Sequence, residues 1–464
     1  MTNNIAEKKG FKFPSTPALL VGIILFAAFL SYVIPAGEFE RVVDETTKRT
    51  LVVAGTFKTT ENHPVGVMFL MSTIYRGIVS AAQLIAFIFV CGGTFGIINK
   101  TGAIAAGLNN LIKKFNGREN LLIFVIMAAF SIGGMTFGMA EESIPFIAIL
   151  VPVAIKMGFD PIVGVAMVMV GIYSGFAPGP LNPFNTGIAQ GIAQLPTFSG
   201  LGLRLAMAGA SLLVAYQHVV AYGKKYRASG KHEEFERWRS DGSDERAMTH
   251  RDIVVLLILL ASLAVLIYGV LSHGWYFTEM SAVFTTCGFI VGFYYFKGSL
   301  ELTMSAFVYG AKELAGTAVI VSLSRAILVV MQEGMIMDTL IYWISLPLSN
   351  LHPILAAWGM YFSQGIVNFF IPSASGQAVA VMPIMSPLAD LVGITRQTAV
   401  LAFQCGDGYW NMITPTHATL MACLGIAGIS FDRWLRFAVV LVLKWSVLVM
   451  VTMAFAVFTG WGPF

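Results

Sequence analysis

Two adjacent carboxylates, Glu141 and Glu142, lie in GMAEES (138–143) between two long apolar runs. A charged, unpaired acid at bilayer depth costs about 3 kcal/mol. Such a pair suggests a proton site, a cation site or a partner for a substrate amine. The alternative is a cap, because an acid at the start of a helix favours the macrodipole. Ser143 follows directly, and Asp407 in GDGYW is the other acid of this kind, either a ligand or a turn former. Three further polar clusters interrupt apolar sequence: PGPLNPFNTG (178–187) with Asn182, Asn185 and Thr186; IPSASGQ (371–377) with Ser373, Ser375 and Gln377; and CGDGYWNMITPTH (405–417) with Asp407, Asn411, Thr414, Thr416 and His417. Their oxygens suit Na⁺ or the polar groups of a substrate, or they satisfy broken-helix backbone. His417 is a candidate proton carrier or a hydrogen-bonded packing residue.

None of these residues forms a nucleophile–base pattern. The chain has no GxSxG, no HExxH and no P-loop, so neither hydrolysis by a serine or zinc site nor use of ATP is indicated. Cys91, Cys287, Cys405 and Cys423 are scattered, which argues against a disulfide framework or a zinc centre. No cofactor and no nucleic-acid partner is expected. Na⁺ at the breaks, not assigned to particular ligands, or H⁺ would be the coupling ion.

The elements that must hold these residues are membrane helices. Of 464 residues 56% are hydrophobic and only 12% charged, with a mean hydropathy of +0.76, whereas soluble domains carry about 25% charged residues. Apolar segments recur near 15–35, 80–99, 121–138, 161–178, 201–221, 253–272, 280–296, 313–331, 353–371, 378–392, 394–406 and 434–458. Some fall short of the ~20 residues of a full crossing. The first reads as an uncleaved helix, since IPAGEFE after it offers no small-x-small cleavage site. Lys8, Lys9 and Lys12, then Lys113, Lys114 and Arg118, then the eight Lys or Arg of 223–251, mark cytoplasmic loops. The N-terminus is therefore expected inside, the loop 36–63 outside. Parity then makes 121–157 a re-entrant hairpin with its tip at 137–143.

A shift of 235 residues places Pro152 on Pro387, Gly158 on Gly393, Gly171 on Gly406 and Pro180 on Pro415. NKTGAI (99–104) answers MQEGMI (331–336) at a shift of 232. The expected organisation is residues 1–63 as a first helix and external loop, then 64–222 as a first repeat with hairpin 121–157 and broken helix 161–196. A cytoplasmic linker follows at 223–251. The second half, 252–464, holds hairpin 353–392 on the outside and broken helix 394–428. Two halves of opposite topology, each with broken helices, are the architecture of secondary transporters.

GMAEESIPF, LNPFNTGIAQGIAQLP and FFIPSASGQAVAVMP…LADLVGITRQTAVLAFQCGDGYW resemble the DcuC/YfcC-type carriers of the ion transporter superfamily. That resemblance runs over most of the chain. It implies an all-α polytopic protein of two inverted repeats, a scaffold that dimerises and an elevator movement of the transport domain. It also implies C4-dicarboxylates in one branch and basic amino acids in YfcC-like members. This chain departs from the related Na⁺/dicarboxylate carriers in reading AEES where they carry Ser-Asn-Thr.

The expectation is a secondary carrier in the bacterial inner membrane. An intramembrane hydrolase would need a base from distant His417, and a channel fits paired broken helices less well than an occluded site does. The acid-rich tip and the scarcity of core Arg or Lys place an amino acid, zwitterionic or cationic, slightly ahead of a C4-dicarboxylate as substrate, and the YfcC-like resemblance adds the basic class. Arg325, in mid-span, reads as half of a buried pair or as a group that attracts an anion. Arg204, Arg396, Arg433 and Arg436 read as snorkelling anchors at span ends.

Overall fold

The computed structural model describes residues 15–43, 50–53, 55–104, 106–107, 117–229, 248–273 and 275–462. Lys8, Lys9, Lys12, Lys113, Lys114 and most of the basic 223–251 stretch lie outside the described residues.

The chain is helical almost throughout. The helices are α1 (Thr16–Val33), α2 (Val67–Met71), α3 (Thr73–Ser80), α4 (Ala82–Thr101), α5 (Glu119–Phe137), α6 (Ile144–Lys156), α7 (Pro161–Phe176), α8 (Ile188–Ile192) and α9 (Leu201–Ala228). They continue as α10 (His250–His273), α11 (Phe277–Tyr295), α12 (Leu300–Glu313), α13 (Ala315–Glu333) and α14 (Met337–Ser345). The last five are α15 (Pro353–Phe370), α16 (Ala374–Val392), α17 (Arg396–Trp410), α18 (Ala418–Ala427) and α19 (Phe431–Thr459). Eight of them, among the described residues, are long and apolar enough to cross a membrane. Their outer faces carry large exposed apolar side chains, such as Phe26, Phe29, Val451 and Phe458. In water such a surface would drive aggregation; in a bilayer it is the solvent-matched side.

The order α5–α6–α7–break–α8–α9 recurs as α15–α16–α17–break–α18–α19. Helices α7 and α17 begin at Pro161 and Arg396, 235 positions apart, the shift read from the Pro and Gly pattern. Within each set the two hairpin arms pack on the helix that follows: α5 and α6 on α7, α15 and α16 on α17. Between sets the packing crosses over, with α8 against α16 and α18 against α6. Each break is thus braced by the hairpin of the other half.

Both hairpin tips have a local cause. Helix α5 stops at Gly138, whose φ of 67° is left-handed, and a Cβ there would sit 2.7 Å from Asn182 Oδ1. At the other tip Ile371 and Pro372 interrupt the helix, and Ser373 restarts it as the N-cap of α16, its Oγ accepting from Gly376 N–H at 3.4 Å. Elsewhere helices approach through glycine: a Cβ on Gly310 of α12 would fall 2.2 Å from Gly92 O on α4.

Three parts lacked an apolar span in the sequence. Helices α2 and α3 and the amphipathic α14 are two, and the third is a pair of two-stranded ribbons, β1 (Gly37–Glu38) with β4 (Lys58–Thr59) and β2 (Arg41–Val43) with β3 (Thr50–Val52). The ribbons are tied to α14 by Arg41, which reaches Asp338 at 2.8 Å, and β3 packs on α16.

Candidate functional site

Both hairpin tips open onto one cavity of about 380 Å³. The first tip contributes Gly138, Ala140, Glu141 and Glu142, the second Pro372, Ser373, Ala374 and Ser375. Tyr173 and Phe176 come from α7, Phe184 from its break, and Asn411 and His417 from the break after α17. Arg325 of α13 and Trp275 and Tyr276, between α10 and α11, close the remaining wall.

The charged groups are held differently. Glu142 is buried, and its Oε2 accepts Ala140 N–H at 2.9 Å, so this carboxylate shapes the tip. Glu141 is half-buried beside it. Arg325 Nε is buried with no hydrogen-bond partner among the described residues. His417 is fixed by Tyr173, whose hydroxyl lies 3.0 Å from Nε2, while Nδ1 has no partner among the described residues. The cavity therefore offers two carboxylates, one guanidinium, two serine hydroxyls at a helix N-terminus, an amide and an imidazole, all against aromatic walls.

The remaining residues singled out in the sequence lie behind this wall. Ser143 donates to Ala140 O at 2.5 Å. Asn182 accepts from the amides of Phe184 and Asn185 at 3.0 and 3.2 Å and so winds the turn after the first break. Thr186 donates to Gly179 O and accepts from Gln404. Asn185 Nδ2 donates to Asp407 Oδ2 at 2.9 Å. Gln377 turns inward onto Gln364, donating to its O and Oε1, both at 2.9 Å. Thr414 and Thr416 donate to Trp410 O and Phe369 O, which is the backbone-satisfying role. Seven of the residues named from the sequence thus reach the cavity: Glu141, Glu142, Arg325, Ser373, Ser375, Asn411 and His417.

A profile of the "C4-dicarboxylate anaerobic carrier" (DcuC) family matches residues 13–458. The chain belongs to this family. Among curated proteins, the Escherichia coli (strain K12) protein named "Putative basic amino acid antiporter YfcC" is 34% identical over 93% of this chain and 94% of its own length. An uncharacterised Haemophilus influenzae protein is 31% identical over the same shares. Two solved transporters align along the chain at low similarity. Alcanivorax borkumensis YdaH has a TM-score of 0.42 at 18% identity, covering 97% of this chain and 99% of that one. Neisseria gonorrhoeae MtrF has a TM-score of 0.43 at 16% identity, covering 97% and 96%. The protein is a multi-pass membrane transporter and not an enzyme.

Several of the carrier's polar contacts join residues far apart in sequence. Arg204 is no snorkelling anchor: it is fully buried and donates to Pro178 O at 3.1 Å, to Gln404 Oε1 and to Gln397 Oε1 at 3.3 Å, locking the first break to α17. Arg433 is held by Asp160 at 2.7 Å and Arg396 by Asp390 at 2.7 Å. Arg325 lines the cavity and makes no ion pair within 4 Å among the described residues. Tyr173, Trp275 and Tyr276 gave no signal, because an aromatic residue in an apolar span looks like packing.

Proposed function

We propose that the chain is a secondary carrier for a basic amino acid, working by exchange or ion coupling through an elevator movement of the two hairpins with their broken helices. The observation that carries this reading is the charge pattern of the cavity, two carboxylates facing one guanidinium. A basic amino acid has the complementary pattern of two cations and one carboxylate. Arg325 and the N-terminus of α16 at Ser373 and Ser375 suit the carboxylate. Glu141 and Glu142 suit the α-amine and the side-chain cation. A C4-dicarboxylate would bring its second anion toward the glutamates, which costs like-charge repulsion in a poorly screened site. The name of the Escherichia coli relative points the same way. The recurring element order and the crossed packing of α8 on α16 and α18 on α6 support inverted repeats. The chain would sit in the bacterial inner membrane as a homodimer with its N-terminus in the cytoplasm. Counterflow of labelled arginine into arginine-loaded proteoliposomes, saturable and unaffected by succinate, is the expected result. Succinate counterflow without arginine counterflow would reverse the assignment, and a non-saturating current would make it a channel.

A further inference from the structure

Five of the residues that line the substrate cavity are aromatic: Tyr173, Phe176, Phe184, Trp275 and Tyr276. They come from two separate parts of the chain, α7 with its break and the connection between α10 and α11. Tyr173 and Phe176 are buried, and their rings meet at 5.2 Å as core packing requires. Phe184 and Tyr276 are not spent in that way, since they are 52% and 48% exposed while lining the cavity. Trp275 is half-buried and is set by its neighbour on α10. Its N–H donates to Gly269 O at 3.3 Å, and a Cβ on Gly269 would fall 2.0 Å from Trp275 Cε3. A side chain at 269 would push the indole aside.

This aromatic wall stands next to the acids. The hydroxyls of Tyr173 and Tyr276 both lie within electrostatic reach of Glu141 and Glu142. A cation drawn to those carboxylates therefore meets rings as well as oxygens, and that combination suits one kind of cation. An ammonium is a compact, strongly hydrated charge, and aromatic faces replace its water poorly. A guanidinium is planar and weakly hydrated. Its N–H groups lie in the plane, where carboxylates accept them, and its two faces carry no donors and stack on rings.

We infer that Trp275 and Tyr276, with Phe184, make the cavity selective for a guanidinium head over an ammonium head on the same amino-acid stem. The inference rests on the basic amino acid reading of this cavity and deepens it. Arg325 and the N-terminus of α16 hold the carboxylate of either ligand alike, so the choice falls to a wall that belongs largely to neither hairpin.

Two matched pairs isolate the head group: arginine against ornithine, and homoarginine against lysine, each pair sharing one stem. The full-length protein in detergent is titrated calorimetrically with all four. The expected result is about tenfold tighter binding of the guanidinium member of each pair. Trp275→Leu and Tyr276→Leu should each weaken arginine about fivefold and leave ornithine within about twofold, and Trp275→Phe should keep part of the preference. Gly269→Ala should repeat the Trp275→Leu pattern, because it displaces the ring without removing it. Should Trp275→Leu not fold, Tyr276→Leu, at a more exposed position, carries the comparison. Equal affinities within the pairs, or equal losses of arginine and ornithine in the leucine variants, would overturn the inference. Failure of the basic amino acid reading itself looks different: none of the four ligands binds the wild-type protein, and the guanidinium assignment goes with it.

Discussion

Replacing the two tip glutamates separately should divide charge from shape. Glu142 is 8% exposed and already accepts the Ala140 amide, a bond that a glutamine at this position preserves through its carbonyl and an alanine does not. Glu142→Ala therefore leaves a buried N–H without a partner, at about 1–3 kcal/mol. Its melting midpoint should fall, while that of Glu142→Gln should hold. Glu141 faces the same cavity from a half-buried position, so its substitution should be felt mainly by the ligand. A hydrogen bond to a charged group nets about 1.5–3 kcal/mol, and a neutral one roughly half of that. Glu141→Gln should then cost about 1–2 kcal/mol of arginine affinity, about five- to thirtyfold in Kd. Calorimetric titration of the detergent-solubilised protein with arginine and with its neutral analogue citrulline reads this directly. Whichever glutamate faces the side-chain cation should lose the preference for arginine over citrulline on conversion to glutamine, while the other weakens both ligands alike. Wild-type Kd for arginine, within twofold, in two well-folded glutamine variants would refute the charge argument.

Arg325→Met should weaken arginine by about 10-fold or more, the value of a charge-assisted bond to its carboxylate. It should leave agmatine, which lacks that carboxylate, unchanged in the same titration; equal losses for both ligands would count against the anchor. Gly310→Leu should abolish folded protein on size exclusion, because its Cβ alone would meet Gly92 O at 2.2 Å, whereas Gly316→Leu, with nothing within 4 Å, should be silent. A Thr317→Cys/Gly425→Cys pair should cross-link α13 to α18, since a Cβ at 425 lies 3.0 Å from that of Thr317, close to disulfide range. Oxidation should stop arginine counterflow and reductant restore it if this seam slides, and undiminished flux through the cross-linked protein would mean that it does not.

The breaks were legible in the sequence because each sets Pro or Gly among several polar residues within an apolar run, whereas Pro152, Pro383 and Pro387, among apolar neighbours, stay inside helices. PGPLNPFNTG and IPSASGQ announced unwound backbone, whereas CGDGYW did not unwind and lies in α17, and the 235-residue shift read from Pro and Gly pairs is the spacing of α7 and α17. Side-chain direction was not legible. Gln377 and Ser375 are two positions apart, yet one turns onto Gln364 and the other lines the cavity. Arg204 looked like an anchor because its neighbourhood marks a span end, while its partners Gln397 and Gln404 lie 193 and 200 positions away. The ribbons of 37–59 escaped notice for a different reason. Strands of two or three residues have no periodicity to read, and the Arg41–Asp338 pair that fixes them joins residues 297 apart.

Asn411 joins the cavity to the polar cluster behind it. It lines the cavity, and its Oδ1 accepts from Asn368 of α15, which also donates to the carbonyl of Asp407 on α17. A ligand that draws on the Asn411 amide therefore acts on the contact between the second hairpin and its broken helix, and a change in that contact acts back on the ligand with equal free energy, because linkage is reciprocal. Asn368 does not line the cavity, so Asn368→Leu should weaken arginine in the same titration only through this contact. Wild-type affinity in a well-folded Asn368→Leu protein would show that the cavity is insulated from the cluster behind it.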